Sequence, residues 1–286
     1  MNFLGHHLKL QEIQFIGEIK TISPVHIGAG RTTGLFEPTD LSVLKISRDG
    51  NDLPYIPGSS LKGLLRSACE AVIISIPQLK ICNIVEYKDS CFYQYRKELE
   101  NALNRKNNQE VLTILDKFCL ICKIFGSSSY NSKIQIHDSY PLEEITTGIK
   151  KGIAIDRRTG SASRGALYDL EIIEPLNLFN FQMIFNNLPN YLVGLVAQTI
   201  LEINNQNLYI GGMKSRGLGR VSITLKKIKV PLQSSKDKLL LKPLLEGDFP
   251  VILESLENPI KSEEFTKEIL LKFVEAWEKY VAQLKK

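Results

Sequence analysis

The sequence predicts an α+β fold with a ferredoxin-like core, long insertions and a C-terminal helical tail. Three observations predict it. Apolar residues alternate with polar ones in short runs around Ile13–Ile22, Ser132–Asp138 and Val221–Leu225, which is strand periodicity. Helical spacing with start signals occupies Pro57–Ser75 and Leu188–Ile203. With the polar excursions removed, the order is strand, helix, strand, strand, helix, strand, the split βαβ arrangement.

Along the chain, Ile13, Phe15, Gly17, Ile19 and Thr21 share one face of the first strand. Ser23–Tyr55, rich in Gly, Pro, Thr and Asp, reads as a long loop holding a short hairpin at Leu41–Arg48. Pro57-Gly58-Ser59-Ser60 opens a helix with a serine placed to cap its first turn. Its apolar face is Leu61, Leu64, Leu65, Ala68 and Val72, and Lys62 and Arg66, four apart, project from another face. Gln78–Cys122 is expected to hold two helices, one marked by Val111, Leu112, Ile114, Leu115 and Phe118. Thr146–Tyr168 reads as an exposed excursion, and Asp169–Phe185 as β-rich segments broken at Pro175. Behind a Ser262 cap, Phe265, Ile269, Leu270, Phe273, Val274, Trp277, Val281 and Leu284 form one helical stripe that docks on the body or on a neighbouring subunit. The expected division is residues 1–231, with a helical insertion at about 78–123, and a C-terminal helical extension at 232–286.

The 286 residues suffice for a substantial core. A net charge of +5 does not by itself identify a nucleic-acid ligand. The charge is segregated, however: Lys214–Lys229 carries six basic residues and no acidic one, whereas acids outnumber bases from Glu246 to Glu278. The N-terminus lacks the apolar core and cleavage site of a signal, and no apolar run approaches the length of a membrane span. The expectation is a cytoplasmic protein with no membrane partner. Five cysteines, an odd number, argue against a secreted disulfide framework.

Two features carry candidate chemistry. Gly211–Arg220 (GGMKSRGLGR) packs four glycines and three cations into ten residues. Such a loop can aim N–H groups at phosphate oxygens while Lys214, Arg216 and Arg220 supply charge; the alternative is a flexible hairpin with solvated charges. It matches neither the Walker pattern nor a dinucleotide fingerprint. Cys119-Leu-Ile-Cys122, with Cys82 and Cys91 upstream, offers four thiolates for zinc. Core cysteines on a helix, or a Cys82–Cys91 disulfide, are the other readings.

Five blocks, in order, resemble the RAMP superfamily of CRISPR-associated RNA-binding proteins, and among them the backbone subunit of type III effector complexes. They are Ser23–Gly30 (SPVHIGAG), Tyr55–Gly63 (YIPGSSLKG), Cys122–Gly126 (CKIFG), Ile153–Gly160 (IAIDRRTG) with Gly165–Tyr168 (GALY), and Gly211–Arg220. The resemblance implies an RRM-like core and a helical filament of subunits along a guide RNA. Guide binding then falls to Gly211, Gly212, Lys214, Ser215, Arg216, Gly217, Gly219 and Arg220, together with Ser59, Ser60, Lys62 and Arg66. On the residues alone, Lys62 and Arg66 read equally as a solvated helix face. His26 becomes an RNA donor or a structural residue. Residues of about 147–168 become a β-hairpin thumb, where Arg157, Arg158 and Arg164 could meet the nucleic-acid backbone.

The resemblance also implies target cleavage by an aspartate in the loop between the first two blocks. Asp40 is the candidate, with Glu37, Asp49 and Asp52 as rivals in a loop that departs from the family's usual length. A carboxylate there could hold a divalent cation (Mg or Mn) or help a 2′-hydroxyl attack its phosphate. The implied partners are guide RNA, target single-stranded RNA, other RAMP subunits and copies of the chain itself. Two functions follow: an endoribonuclease subunit, or a non-catalytic RNA-binding scaffold. A guide-processing nuclease needs an acid–base pair, which is hard to draw from four histidines (His6, His7, His26, His137).

Overall fold

The computed structural model describes residues 8–28, 40–48, 50–128, 130–145, 147–232, 239–254, 256–257 and 262–285, with the backbone alone for 163–166. In chain order the elements are β1 (Glu12–Thr21), β2 (Lys45–Arg48), β3 (Asn51–Pro54), α1 (Gly58–Ile74), α2 (Cys91–Asn104), α3 (Asn108–Asp116), α4 (Leu120–Phe125), β4 (Ile134–Ile136), β5 (Thr147–Ile155), β6 (Ala162–Ile173), β7 (Leu178–Asn186), α5 (Asn190–Asn204), β8 (Val221–Lys229), β9 (Leu239–Leu241), β10 (Val251–Leu253) and α6 (Glu263–Leu284). The molecule is therefore mixed α and β. Its largest sheet has four antiparallel strands in the order β4-β7-β1-β8.

The sheet follows from alternation. Phe179, Phe181, Met183 and Phe185 of β7 all point inward and are buried. The register sets Phe15 opposite Met183 and Ile19 opposite Phe179, so two apolar rows meet on one face. Helix α5 lies against this core and under α6, which explains why its sequence is apolar almost all round. A Cβ at Gly194 would stand 2.2 Å from the Phe273 carbonyl oxygen, so glycine permits the close crossing of α5 and α6. The Phe273 ring reaches Phe15, with centroids 5.6 Å apart. Of the two docking sites open to the tail helix, it occupies the body. The Ser262 hydroxyl accepts the Phe265 N–H at 3.0 Å, the cap the sequence signalled.

Several expectations are corrected. Neither Ser59 nor Ser60 caps α1: Pro57 holds the N-cap position, and the Gly58 N–H donates to Asp138 Oδ1 at 2.8 Å. A carboxylate distant in sequence takes the role given to a local hydroxyl. The hairpin placed at Leu41–Arg48 is shifted, with β2 pairing β3 around residues 48–51. The helical insertion contains three helices (α2, α3, α4) rather than two, and Cys119 precedes α4 rather than lying in it. The expected thumb excursion is a β5–β6 hairpin that continues as paired strands to Ile173. Beyond residue 231 the chain also forms a small β9–β10 hairpin that no sequence signal indicated. Among the described residues no helix is long and apolar enough to cross a membrane.

Candidate nucleic-acid interface

The glycine-rich segment is tied down along its length. The Ile210 N–H donates to the Gly219 carbonyl at 2.8 Å, Gly219 N–H to Pro24 at 2.9 Å, and Gly212 N–H to His26 at 2.8 Å. Gly211 (φ +76) and Gly219 (φ +94) adopt left-handed backbone, and a Cβ at either would stand 2.2 Å from a carbonyl oxygen, of His26 and Ile210 respectively. The glycines thus fasten the loop to the Ser23–Ile27 stretch, which argues against a freely flexible hairpin. Between them Lys214–Arg216 makes one 3-10 turn, and Lys214, Ser215, Arg216, Gly217 and Arg220 are exposed. The Arg220 guanidinium lies 5.7 Å from the Tyr209 ring centroid.

Asp40 is exposed, and its Oδ2 accepts the Asp169 N–H at 2.9 Å. Leu41 then pairs with β6: its N–H donates to the Asp169 carbonyl and its carbonyl accepts the Glu171 N–H. The Leu41 side chain joins a small apolar cluster with Tyr168, Leu170 and Ile172 of the thumb and Met213 and Leu218 of the glycine loop. Arg216 donates to the Tyr168 hydroxyl. A pocket of about 200 Å³ opens here, walled by Lys150, Lys151, Tyr168, Leu170, Met213 and Arg216. Three segments remote in sequence, namely the Asp40 loop, the thumb base and the glycine loop, therefore converge.

Glu171 knits this junction together and was not foreseen. It is buried; its carboxylate accepts the Val43 N–H at 3.0 Å and the Thr147 hydroxyl at 2.6 Å, and pairs with the Lys45 ammonium at 2.6 Å. Burial pushes its pKa up, but the Lys45, Thr147 and Val43 hydrogen bonds outweigh burial, and the carboxyl titrates below the ordinary glutamate range. Its backbone oxygen lies 2.8 Å from His26 Nδ1. His26 is itself buried beneath Gly211 and Gly212, and its Nδ1 and its carbonyl both hold the junction.

The remaining candidates lie elsewhere. Lys62 and Arg66 line a different, open cleft of about 310 Å³ beside the turn between α4 and β4. Ser59 is exposed and Ser60 half-buried at the start of α1. Arg157 and Arg158 are exposed in the thumb turn, where the Arg158 N–H caps onto Asp156 Oδ1 at 2.7 Å. The Arg164 side chain, Glu37, Asp49 and the end of the first block at Ala29-Gly30 lie outside the described residues. Asp52 sits exposed on β3.

The four cysteines meet although 40 residues separate the first from the last. All are free, and their sulfur atoms lie within 4.8 Å of one another, with Cys82 Sγ 3.4 Å from Cys122 Sγ and 3.8 Å from Cys119 Sγ. The Cys119 N–H also donates to Cys91 Sγ at 3.3 Å. Neighbouring thiols push Cys119 strongly down, to about 2, and Cys122 up, as expected when one thiolate is held by S–H donors around it. Such a cluster could hold a metal ion.

The sequence model of the RAMP superfamily matches residues 18–222. The chain belongs to the RAMP superfamily. That span takes in the end of β1 together with α1, the four cysteines, the β5–β6 hairpin and the glycine loop. Two CRISPR system Cms endoribonucleases Csm3 are also similar. The protein of Enterococcus italicus is 27% identical over 76% of this chain and 92% of its own length. That of Methanocaldococcus jannaschii is 27% identical over 72% of this chain and 75% of its own. The resemblance to a CRISPR-associated RAMP subunit of the type III kind, read from five sequence blocks, holds.

Proposed function

We propose that this RAMP subunit binds guide RNA as a repeating backbone unit of a type III CRISPR effector complex and cleaves the bound target RNA. The observation that carries this reading is the convergence of Asp40, the thumb base and the basic glycine loop on the Leu170 cluster. A scissile strand lying over the thumb base would find a carboxylate and phosphate-binding cations at the same stretch of β6. The two relatives named endoribonucleases support the reaction class. The sheet order β4-β7-β1-β8, with α1 and α5 as crossovers, supports a ferredoxin-like, RRM-like core. The partners are guide RNA, single-stranded target RNA, other RAMP subunits and further copies of this chain, and the setting is cytoplasmic.

Asp40 would act with a divalent cation, Mg or Mn, taken up jointly with the RNA phosphates. One carboxylate plus phosphate oxygens and water is a common arrangement for magnesium, and the cation would supply charge stabilisation at the phosphorus. The exposed Asp40 carboxylate fits that role, with its Oδ2 oriented by the Asp169 amide. The cysteine cluster fits a structural zinc: thiolates around zinc lie about 3.8 Å apart for bonds of about 2.3 Å, close to the sulfur separations found here.

A second reading, a non-catalytic scaffold, is favoured by one observation. Among the described residues, the cysteines form the only cluster of three or more metal-ligating groups, and Asp40 belongs to none. Asp40→Ala in a complex reconstituted with guide and matched target separates the two. The expected result is guide binding within about twofold of wild type and loss of cleavage by about 10²-fold or more at the positions this subunit governs. Unchanged cleavage would remove Asp40 from the reaction and leave the scaffold or one of the rival carboxylates Glu37, Asp49 and Asp52.

A further inference from the structure

We propose that Tyr168 is a positioning residue for target cleavage: its hydroxyl turns the Arg216 guanidinium toward the base of the thumb, where Arg216 meets the target phosphate on which Asp40 acts. This rests on the cleavage reading above and divides the glycine loop, giving Arg216 to the reaction rather than to the guide.

Neighbouring residues of β6 anchor the two groups. The Tyr168 hydroxyl accepts from Arg216 Nη1, and the Asp169 N–H, one residue on, donates to Asp40 Oδ2 at 2.9 Å. Packing couples the anchors as well, since Leu41, next to Asp40, shares an apolar cluster with Tyr168 and Met213. Arg216 is exposed. Its side-chain hydrogen bonds among the described residues leave from Nη1 alone, to Tyr168 and, at 3.5 Å, to Met213 Sδ. A guanidinium carries more N–H donors than these contacts use, so Nε and Nη2 remain for a ligand oxygen. Arg216 and Tyr168 both line the open pocket of about 200 Å³ at the thumb base, through which a phosphate can approach.

Both contacts of the guanidinium are themselves held. The Tyr168 ring crosses the hairpin and lies on Gly152, where a Cβ would stand 2.0 Å from the ring Cζ. Met213 adopts left-handed backbone (φ +55), which a residue with a side chain takes only where its surroundings hold it. With Gly217 (φ +83) it brackets the 3-10 turn Lys214–Arg216, and the Arg216 N–H donates to the Met213 carbonyl at 2.9 Å. The guanidinium is therefore in place before a ligand arrives. Such fixing matters more to a reaction than to binding. Whichever oxygen attacks the phosphorus, negative charge builds on the non-bridging oxygens, and a preset donor stabilises that charge without reorganising. A cation that only neutralises a guide phosphate gains little from it, because its contribution comes from counterion release.

The test is single-turnover cleavage by the complex reconstituted with guide and matched target, over a range of target concentrations. Wild type, Tyr168→Phe, Arg216→Gln, the double variant and Asp40→Ala are compared. Tyr168→Phe keeps the ring over Gly152 and removes only the hydroxyl. It should lower the rate constant at saturating target by roughly tenfold, with guide affinity, half-saturating target concentration and melting temperature near wild type. Arg216→Gln should lower that rate constant by roughly 10²-fold. Adding Tyr168→Phe to it should cost less than about twofold more, because the hydroxyl acts through the guanidinium. Losses that multiply in the double variant would show the hydroxyl acting without Arg216 and overturn the proposal. So would an Arg216→Gln complex whose guide affinity falls while its saturated rate stays, since Arg216 then serves the guide. A Tyr168→Phe complex that cleaves as wild type, beside an inactive Asp40→Ala, sinks the positioning role and leaves the cleavage reading standing. Unchanged cleavage in Asp40→Ala removes that reading and the proposal with it.

Discussion

Glu171 shows how much a single residue can fix. It joins the Asp40 loop through Val43, the hairpin strand β2 through Lys45 and the thumb through Thr147, all from one buried carboxylate. Its folded pKa lies below the ordinary value of 4.5, so its stabilising contribution is present at neutral pH and is lost as pH falls through the folded value. Glu171→Gln is expected to cost about 1–3 kcal/mol at pH 7. The gap in melting temperature between variant and wild type should narrow as pH falls below 4.5 and through the lower folded value, where the native carboxyl is protonated too. A gap that stays unchanged down to the lowest pH at which the protein remains folded would show that shape rather than charge makes the junction. Since the same contacts hold the segment that follows Asp40, cleavage should fall in this variant while guide binding stays near wild type.

At the scale of elements, α6 is more than a trailing helix. Phe265, Ile269, Leu270, Phe273 and Trp277 are buried in the same core as Phe15 and Phe185 of the sheet. Phe273 is fully buried, so Phe273→Ala opens a cavity beneath β1 and should cost about 3–5 kcal/mol, read by urea unfolding. A loss below about 1 kcal/mol would mean that the helix docks loosely and the sheet is stable without it. The thumb is built the opposite way. Lys151 and Ile153–Ile155 of β5 carry little buried surface, and Ile149, Ile153, Ile155 and Leu167 are exposed. A two-stranded ribbon with so little core draws its order from its base, where Leu170 and Ile172 are anchored.

For the whole molecule, the cysteine cluster links the helical insertion to the core. Cys82 comes from the segment after α1, Cys91 from the start of α2, Cys119 from the position just before α4 and Cys122 from α4, whose Ile121, Ile124 and Phe125 belong to the main core. Protein purified without added chelator should carry about one zinc per chain by elemental analysis, and Cys119→Ser should lose it. The loss should melt α2 and α3 first, visible as early hydrogen exchange, while the four-stranded sheet keeps its protection. Absence of bound metal from freshly purified protein, with exchange unaltered in the variant, would leave the sulfurs as simple core.

Much of the frame was legible because it rests on local periodicity. Alternation marked β1, β4 and β8, spacing marked α1, α5 and α6, and Ser262 announced its cap; each signal depends on neighbours two to four residues away. The glycine loop was legible for a similar reason, since positive φ restricts the residue type at the position itself. What the sequence could not decide were matters of distance along the chain. It offered Ser59 or Ser60 as a cap where Asp138 serves, and it did not show that His26 would meet the Glu171 backbone. It left the cysteines among three readings that only their meeting within 4.8 Å could narrow. Asp40 and Gly211–Arg220 stand more than 170 residues apart in sequence, yet both close on Tyr168–Leu170. Side-chain type and spacing write the elements, whereas a site is assembled by long-range packing, and that is settled only when the core brings those elements together.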